Sequence, residues 1–166
     1  MLKSLVVLVA FTFCSPVFAE ELFKGKPPEG VFSLGISAGL APLGSNGGFV
    51  SVGNIGAKIV NIGFVPDINN QVWLELGGGV HVGFTGALIS GIFSSHLRWD
   101  FIVNDSWTLF AAGGVGGWVT SPAGATTFVL FPRIGAGAIY YFVPQVGLRL
   151  DISHEWSTIG IMARLP

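Results

Sequence analysis

Val146-Gly147-Leu148-Arg149-Leu150-Asp151-Ile152-Ser153 is the stretch on which the fold turns. Its large apolar residues all fall on even positions, and its glycine, arginine, aspartate and serine all fall on odd ones. That is a period of two, the pattern of a strand with one apolar and one polar face. Ser95-His96-Leu97-Arg98-Trp99-Asp100-Phe101 repeats it, with Leu97, Trp99 and Phe101 alternating against His96, Arg98 and Asp100. A helix would spread these charges around its circumference. A strand gathers them on one side.

The same alternation runs outward along the chain. Phe32, Leu34, Ile36, Ala38 and Leu40 oppose Ser33, Gly35, Ser37 and Gly39. Val72, Leu74, Leu76, Val80, Val82 and Phe84 oppose Glu75, Gly77, Gly79, His81 and Gly83, and Ile159, Ile161, Ala163 and Leu165 oppose Thr158, Gly160, Met162 and Arg164. Between Phe49 and Ile62 the phase is less regular: Val50 and Val52 are even, whereas Ile55, Ala57 and Ile59 are odd, which predicts a bulge near Gly53-Asn54.

Composition points the same way. Charged residues are 10 % of the chain against roughly 25 % in ordinary soluble domains, and apolar residues reach 51 %. Leu76 to Phe93 is uncharged and long enough for a membrane helix. Against that stand the 25 glycines, clustered as in Gly77-Gly78-Gly79 and Gly113-Gly114-Val115-Gly116-Gly117, each costing a helix up to about 1 kcal/mol relative to alanine. In a soluble, lipocalin-like barrel the outer face is polar and the inner face apolar. Here the apolar face of most strands carries no charge, which is the pattern of a barrel turned toward lipid.

The chain opens with Lys3, an apolar core from Leu5 to Phe13, and Val17-Phe18-Ala19, the layout of a cleaved export signal. Residues 1–19 are therefore set apart from the fold, 20–30 are read as a short periplasmic segment and 31–166 as one barrel domain. The single cysteine, Cys14, lies in the leader, so the mature chain is held by its hydrogen-bond ladder and packing and by no disulfide. Without Lys3 the formal charge is about −2, which offers no electrostatic footprint for nucleic acid.

Turn residues divide the remainder into eight segments, 31–41, 48–64, 71–84, 91–103, 106–119, 126–142, 145–154 and 157–165. Most reach the nine to eleven residues that a tilted strand needs to cross a bilayer. An even number of antiparallel strands suits closure of the first onto the last, and closure is required because an open edge in lipid leaves backbone groups unpaired. The prediction is an all-β, eight-stranded, antiparallel up-and-down transmembrane barrel. Trp73, Trp99, Trp107, Tyr140 and Phe142 fall near strand ends, where interfacial aromatic girdles are expected.

These eight alternating segments, the leader ending at Ala19 and the closing strand Ile159 to Leu165 resemble the small bacterial outer-membrane barrels typified by the OmpA transmembrane domain and OmpX. The resemblance implies a bacterial outer-membrane location after signal cleavage, contact with outer-membrane lipid, insertion by the outer-membrane assembly machinery, and a monomer. The chain closes on Leu165-Pro166 where the resemblance implies an aromatic residue, and its connections are short where long surface loops are implied.

If the phase holds, Lys58, Glu75, His81, His96, Arg98, Asp100, Arg133, Arg149, Asp151 and Arg164 point into the lumen. An eight-stranded barrel is just wide enough for side chains to fill. The expectation is a packed polar plug of five cations facing three carboxylates, in a barrel with a structural or membrane-organising role. The alternative is a narrow, porin-like passive pore with weak anion preference. A lipid-modifying enzyme is the third class, since Ser153-His154-Glu155-Trp156-Ser157 holds the residue types of a Ser/His/acid site. Strand alternation, however, puts His154 opposite to Ser153 and Glu155, so no catalytic residue is assigned. His81 and His96 are close enough in the pattern to meet across neighbouring strands, but two histidines without cysteine or a clustered carboxylate give no metal site, and no cofactor motif is present.

Overall fold

A computed structural model of the chain describes residues 23, 25–41, 47–65, 67–84, 89–121 and 126–166. The predicted export signal, its cleavage site and parts of four predicted turns lie outside the described residues. Eight strands follow one another: β1 Phe32–Ala41, β2 Gly48–Val60, β3 Asn70–Gly83, β4 Ile89–Ile102, β5 Trp107–Thr120, β6 Thr127–Val143, β7 Val146–Ser153 and β8 Ser157–Leu165. Each pairs antiparallel with the next, and β1 pairs with β8 from Phe32↔Leu165 to Leu40↔Ser157, which closes the barrel.

The alternation read from the sequence becomes the two faces of this wall. Leu34, Ile36, Leu76, Leu97, Ile159 and Ile161 stand outward and exposed, whereas Ser33, Glu75, His96, Arg98, Arg149 and Asp151 are buried inside. The wall is thus apolar where a soluble protein is polar. Glycine lets the interior close up. A Cβ at Gly137 would collide with the Leu150 carbonyl and the Phe110 ring, so glycine there is what lets Phe110 lie across the lumen.

Two expectations from the pattern need correcting. No bulge occurs at Gly53-Asn54: β2 pairs without interruption from Gly48↔Gly83 to Lys58↔Trp73, and the irregularity lies between Lys58 and Val60. Val50 and Val52 therefore face inward, in phase with the rest of β2, and Ile55 and Ile59 face outward. The apparent phase change arose because one end of the lumen is apolar. Trp73 is likewise no girdle residue. It shares the parity of Glu75 and is fully buried inside the barrel.

Outward-facing aromatics form bands at both ends. Trp99, Phe101, Trp107, Tyr140 and Phe142 cluster at the end that carries the chain termini, with Trp107 and Tyr140 centroids 4.9 Å apart. Phe49 packs on Phe84 and Phe93 stacks on Phe128 at the opposite end. At the terminal end, residues 25–31 run across the barrel mouth. They are tied by Asn69 Nδ2 donating to the Gly25 carbonyl (2.8 Å), the Lys26 amide to Asp105 (3.0 Å) and Arg164 to the Pro28 carbonyl (3.2 Å). The segment 20–30, predicted as a short periplasmic stretch, is over its described part a strap on the barrel.

One asymmetry stands out in the wall. The pairing of β6 with β7 begins only at Gly135↔Ser153, so Thr127 to Ile134 extend past the β7–β8 hairpin with β5 on one side.

Candidate functional site

Among the described residues, the buried charged side chains gather in the lumen. Arg98 and Asp100 lie two apart on β4, so alternation turns both inward, and Asp100 takes two hydrogen bonds from the Arg98 guanidinium (2.7 and 3.0 Å). The register sets Glu75 opposite His96 and next to Arg98; His96 Nε2 lies 3.0 Å from Glu75, and Arg98 also donates to that carboxylate. On β7 the same two-residue spacing pairs Arg149 with Asp151 (2.9 Å).

These wall pairs are joined through the centre. Arg149 grips Glu75 with two bonds of 2.9 Å, and Arg164 reaches Asp100 at 3.1 Å and Gln71 at 3.3 Å. β3 and β7 are opposite strands of the ring, as are β4 and β8. Both ion pairs therefore span the barrel's diameter. Bidentate Arg–carboxylate geometry is the strongest form such a contact takes, and here it occupies the axis along which ions would travel.

Aromatic rings fill what the charges leave. The Arg98 and Arg164 guanidinium carbons lie 5.1 and 4.9 Å from the Trp73 ring centroid, and Arg149 lies 4.8 Å from that of Phe110. These contacts supply attraction to cations that have left water. Phe110, Ile139, Tyr141 and Met162 pack around them. Toward the end away from the termini the lumen changes character: Ala41, Val50, Val52, Ile92 and Trp156 form an apolar cap, closed by Trp118 and Phe131. The cavity left inside it is about 10 Å³, room for roughly one water.

Of the ten residues assigned to the lumen, eight come together in this network: Glu75, His96, Arg98, Asp100, Arg133, Arg149, Asp151 and Arg164. Lys58 and His81 do not join it. Lys58 stands at the terminal end with its ammonium 5.4 Å from the Trp73 ring. His81 sits in the apolar cap beside Trp118, at a centroid distance of 5.9 Å. His81 and His96, which the pattern allows to approach, do not meet. His96 pairs with Glu75, six residues from His81 along β3, or roughly 20 Å of strand.

The charge count also needs correction. Glu155 is fully buried and faces Arg133, its Oε2 3.8 Å from Nη1. The buried set is then Arg98, Arg133, Arg149 and Arg164 against Glu75, Asp100, Asp151 and Glu155, four of each. Among the fully buried groups the excess of cations is gone, and half-buried Lys58 at the terminal mouth leaves a surplus of one. Glu155 was read as a turn residue, although its odd position continues the parity of Arg149 and Asp151. Trp156, 4.4 Å from the Arg133 guanidinium, falls with Glu155 in the turn between the last two predicted strands, and Trp73 falls among the predicted girdle residues, so the pattern assigns neither to the lumen.

The Ser153-His154-Glu155 segment has no catalytic geometry. Ser153 Oγ donates to the Trp156 carbonyl (2.8 Å), whereas His154 projects outward, its Nδ1 3.5 Å from Glu155. Among the described residues no group of three His, Cys, Asp or Glu side chains could hold a metal ion.

Comparison with solved structures shows what kind of barrel this is. The N-terminal β-barrel domain of Pseudomonas aeruginosa OprF superposes with a TM-score of 0.58 at 16 % identity, over 82 % of this chain and 100 % of that one. Neisserial surface protein A (NspA) gives 0.55 at 14 % identity, covering 82 % and 98 %. Ail, the attachment invasion locus protein of Yersinia pestis, gives 0.51 at 14 % identity, covering 82 % and 99 %. The chain has the closed eight-stranded antiparallel fold of these outer-membrane barrels, as its alternating segments implied. No protein-family model and no curated protein matches it.

Proposed function

We propose that this protein is a small bacterial outer-membrane barrel with a structural or membrane-organising role and a lumen closed to ions. The observation that carries the proposal is the pair of bridges, Arg149–Glu75 and Arg164–Asp100, each spanning the barrel between opposite strands. The apolar cap supports it from one end and the strap of residues 25–31 from the other.

The membrane reading rests on the outward wall, where apolar side chains stand exposed on every strand between two aromatic bands. The small barrels it resembles support an outer-membrane address; the leader pattern ending at Ala19 is the basis for proposing signal cleavage there, followed by insertion by the outer-membrane assembly machinery. A monomer is the simplest state for a wall closed on itself. No catalysis is assigned, since His154 lies against Glu155 while the Ser153 hydroxyl donates to the Trp156 carbonyl and not to His154.

The test is conductance. The full chain, refolded and fused into planar bilayers, should give no discrete current steps in molar salt. Steady single-channel openings of the wild-type barrel would replace this reading with the passive pore.

A further inference from the structure

The stretch of β6 that outruns β7 has a defined chemistry. The Tyr141 amide donates to the carbonyl of Ser106, just before β5, and the β5–β6 register is regular from there to Thr127↔Thr120. Odd residues of β6 therefore address β5, and the amides and carbonyls of even residues address the other side. From Gly135 downward that side is β7. Among the described residues nothing pairs there with Phe128, Leu130, Pro132 and Ile134. Three N–H groups and four carbonyls face a lateral notch above the β7–β8 hairpin. The register continued one step sets the half-exposed His154 opposite Ile134, at the floor of the notch.

The same even residues turn their side chains outward, and Phe128, Leu130 and Ile134 are all strongly exposed. An amphiphilic surface results, with backbone donors and acceptors along its edge and hydrocarbon beside it. Phe128 stacks on Phe93 in the aromatic band, so the edge crosses the level where hydrocarbon gives way to headgroups. Deep in hydrocarbon these groups would cost several kcal/mol each, so a polar occupant has to meet them.

Two features select that occupant. Pro132 has no N–H, and its ring stands where a neighbouring strand would place a carbonyl, so strand addition by another chain is disfavoured. The connections at this end, 42–47, 84–88 and 121–126, contain no Asp, Glu, Lys or Arg, and Glu155 of the fourth faces inward to Arg133. A phosphate headgroup would find no free cation. Hydroxyl groups, which both donate and accept, fit a row of alternating backbone donors and acceptors. We infer that the β6–β7 notch is a lipid site, holding the neutral, hydroxyl-rich headgroup of a glycolipid against the β6 edge and His154, with an acyl chain along Phe128, Leu130 and Ile134.

This inference rests on the barrel standing in a bilayer. It is tested on the full chain in lipid nanodiscs of phosphatidylcholine alone, or doped with digalactosyldiacylglycerol or with phosphatidylglycerol. Heat-modifiability on a gel is scored separately in each, so that failure to form a membrane barrel is distinguished from failure of the site. The readout is residue-resolved amide exchange. The Phe128, Leu130 and Ile134 amides should exchange fast in phosphatidylcholine and slow by about five- to tenfold with the galactolipid, the change one hydrogen bond confers. Phosphatidylglycerol should leave them unchanged, and His154→Ala should reduce the slowing. Equal protection in all three bilayers, protection by phosphatidylglycerol, or none with the galactolipid in a folded barrel would overturn the site. So would equal protection by free maltose, which would remove the lipid from it.

Discussion

Glu75 is the joint at which the lumen network is most exposed to test. Its carboxylate holds Arg149 by two bonds of 2.9 Å, accepts from Arg98 and lies 3.0 Å from His96, all out of contact with solvent. Glu75→Gln keeps the shape and deletes one negative charge. Arg98 would retain Asp100 and Arg149 would retain Asp151, but the cluster would pass from four against four to one uncompensated buried cation. Removing one partner of a buried pair costs about 3–5 kcal/mol. The assay is urea unfolding of the refolded barrel in lipid vesicles, followed by tryptophan fluorescence. Arg149→Met should cost a similar amount, and the double variant should recover part of the loss, with a coupling of about 1–3 kcal/mol. Strictly additive single losses, or a loss below about 1 kcal/mol for Glu75→Gln, would refute the claim that the Arg149–Glu75 bridge is made.

Other substitutions separate the layers. Trp73→Ala removes the ring beneath Arg98 and Arg164 and should cost about 3–5 kcal/mol by the same unfolding assay, far more than expected of a girdle tryptophan. Gly137→Val places side-chain atoms against the Leu150 carbonyl and the Phe110 ring, and should leave a chain that no longer acquires the folded mobility on a gel. Ile36→Arg, on the outer face near the middle of β1, should cost about 2–4 kcal/mol in a bilayer. A soluble barrel would tolerate that arginine, so stability equal to wild type would count against the lipid-facing wall.

Much of the wall was legible because each strand is read by one short-range rule. Parity in 95–101 and 146–153 placed Arg98, Asp100, Arg149 and Asp151 on one face, and turn residues separated eight strands. Parity cannot say which residues meet across the barrel. Arg149 and Glu75 are 74 residues apart and come together only because eight strands place β3 opposite β7. Where the reading failed, the inner face departed from polar. Val50 and Val52 looked out of phase because they belong to the apolar cap, and Trp73 was sent to the girdle although its parity with Glu75 points inward. Glu155 is hidden in the three-residue connection 154–156, where its neighbour His154 suggests a chemistry that the strand geometry does not assemble. The shortfall of β7 against β6 follows from their unequal lengths, visible only once the register is known.

The central claim is that this chain forms a closed barrel facing lipid, and its most direct test is heat-modifiability of the mature protein recovered from an outer-membrane fraction. Run on an SDS gel without boiling, the barrel should migrate as a compact band that shifts to the unfolded position only after heating. A single mobility in both lanes, with recovery in the soluble periplasm, would contradict the lipid-facing wall and every lumen assignment that depends on it.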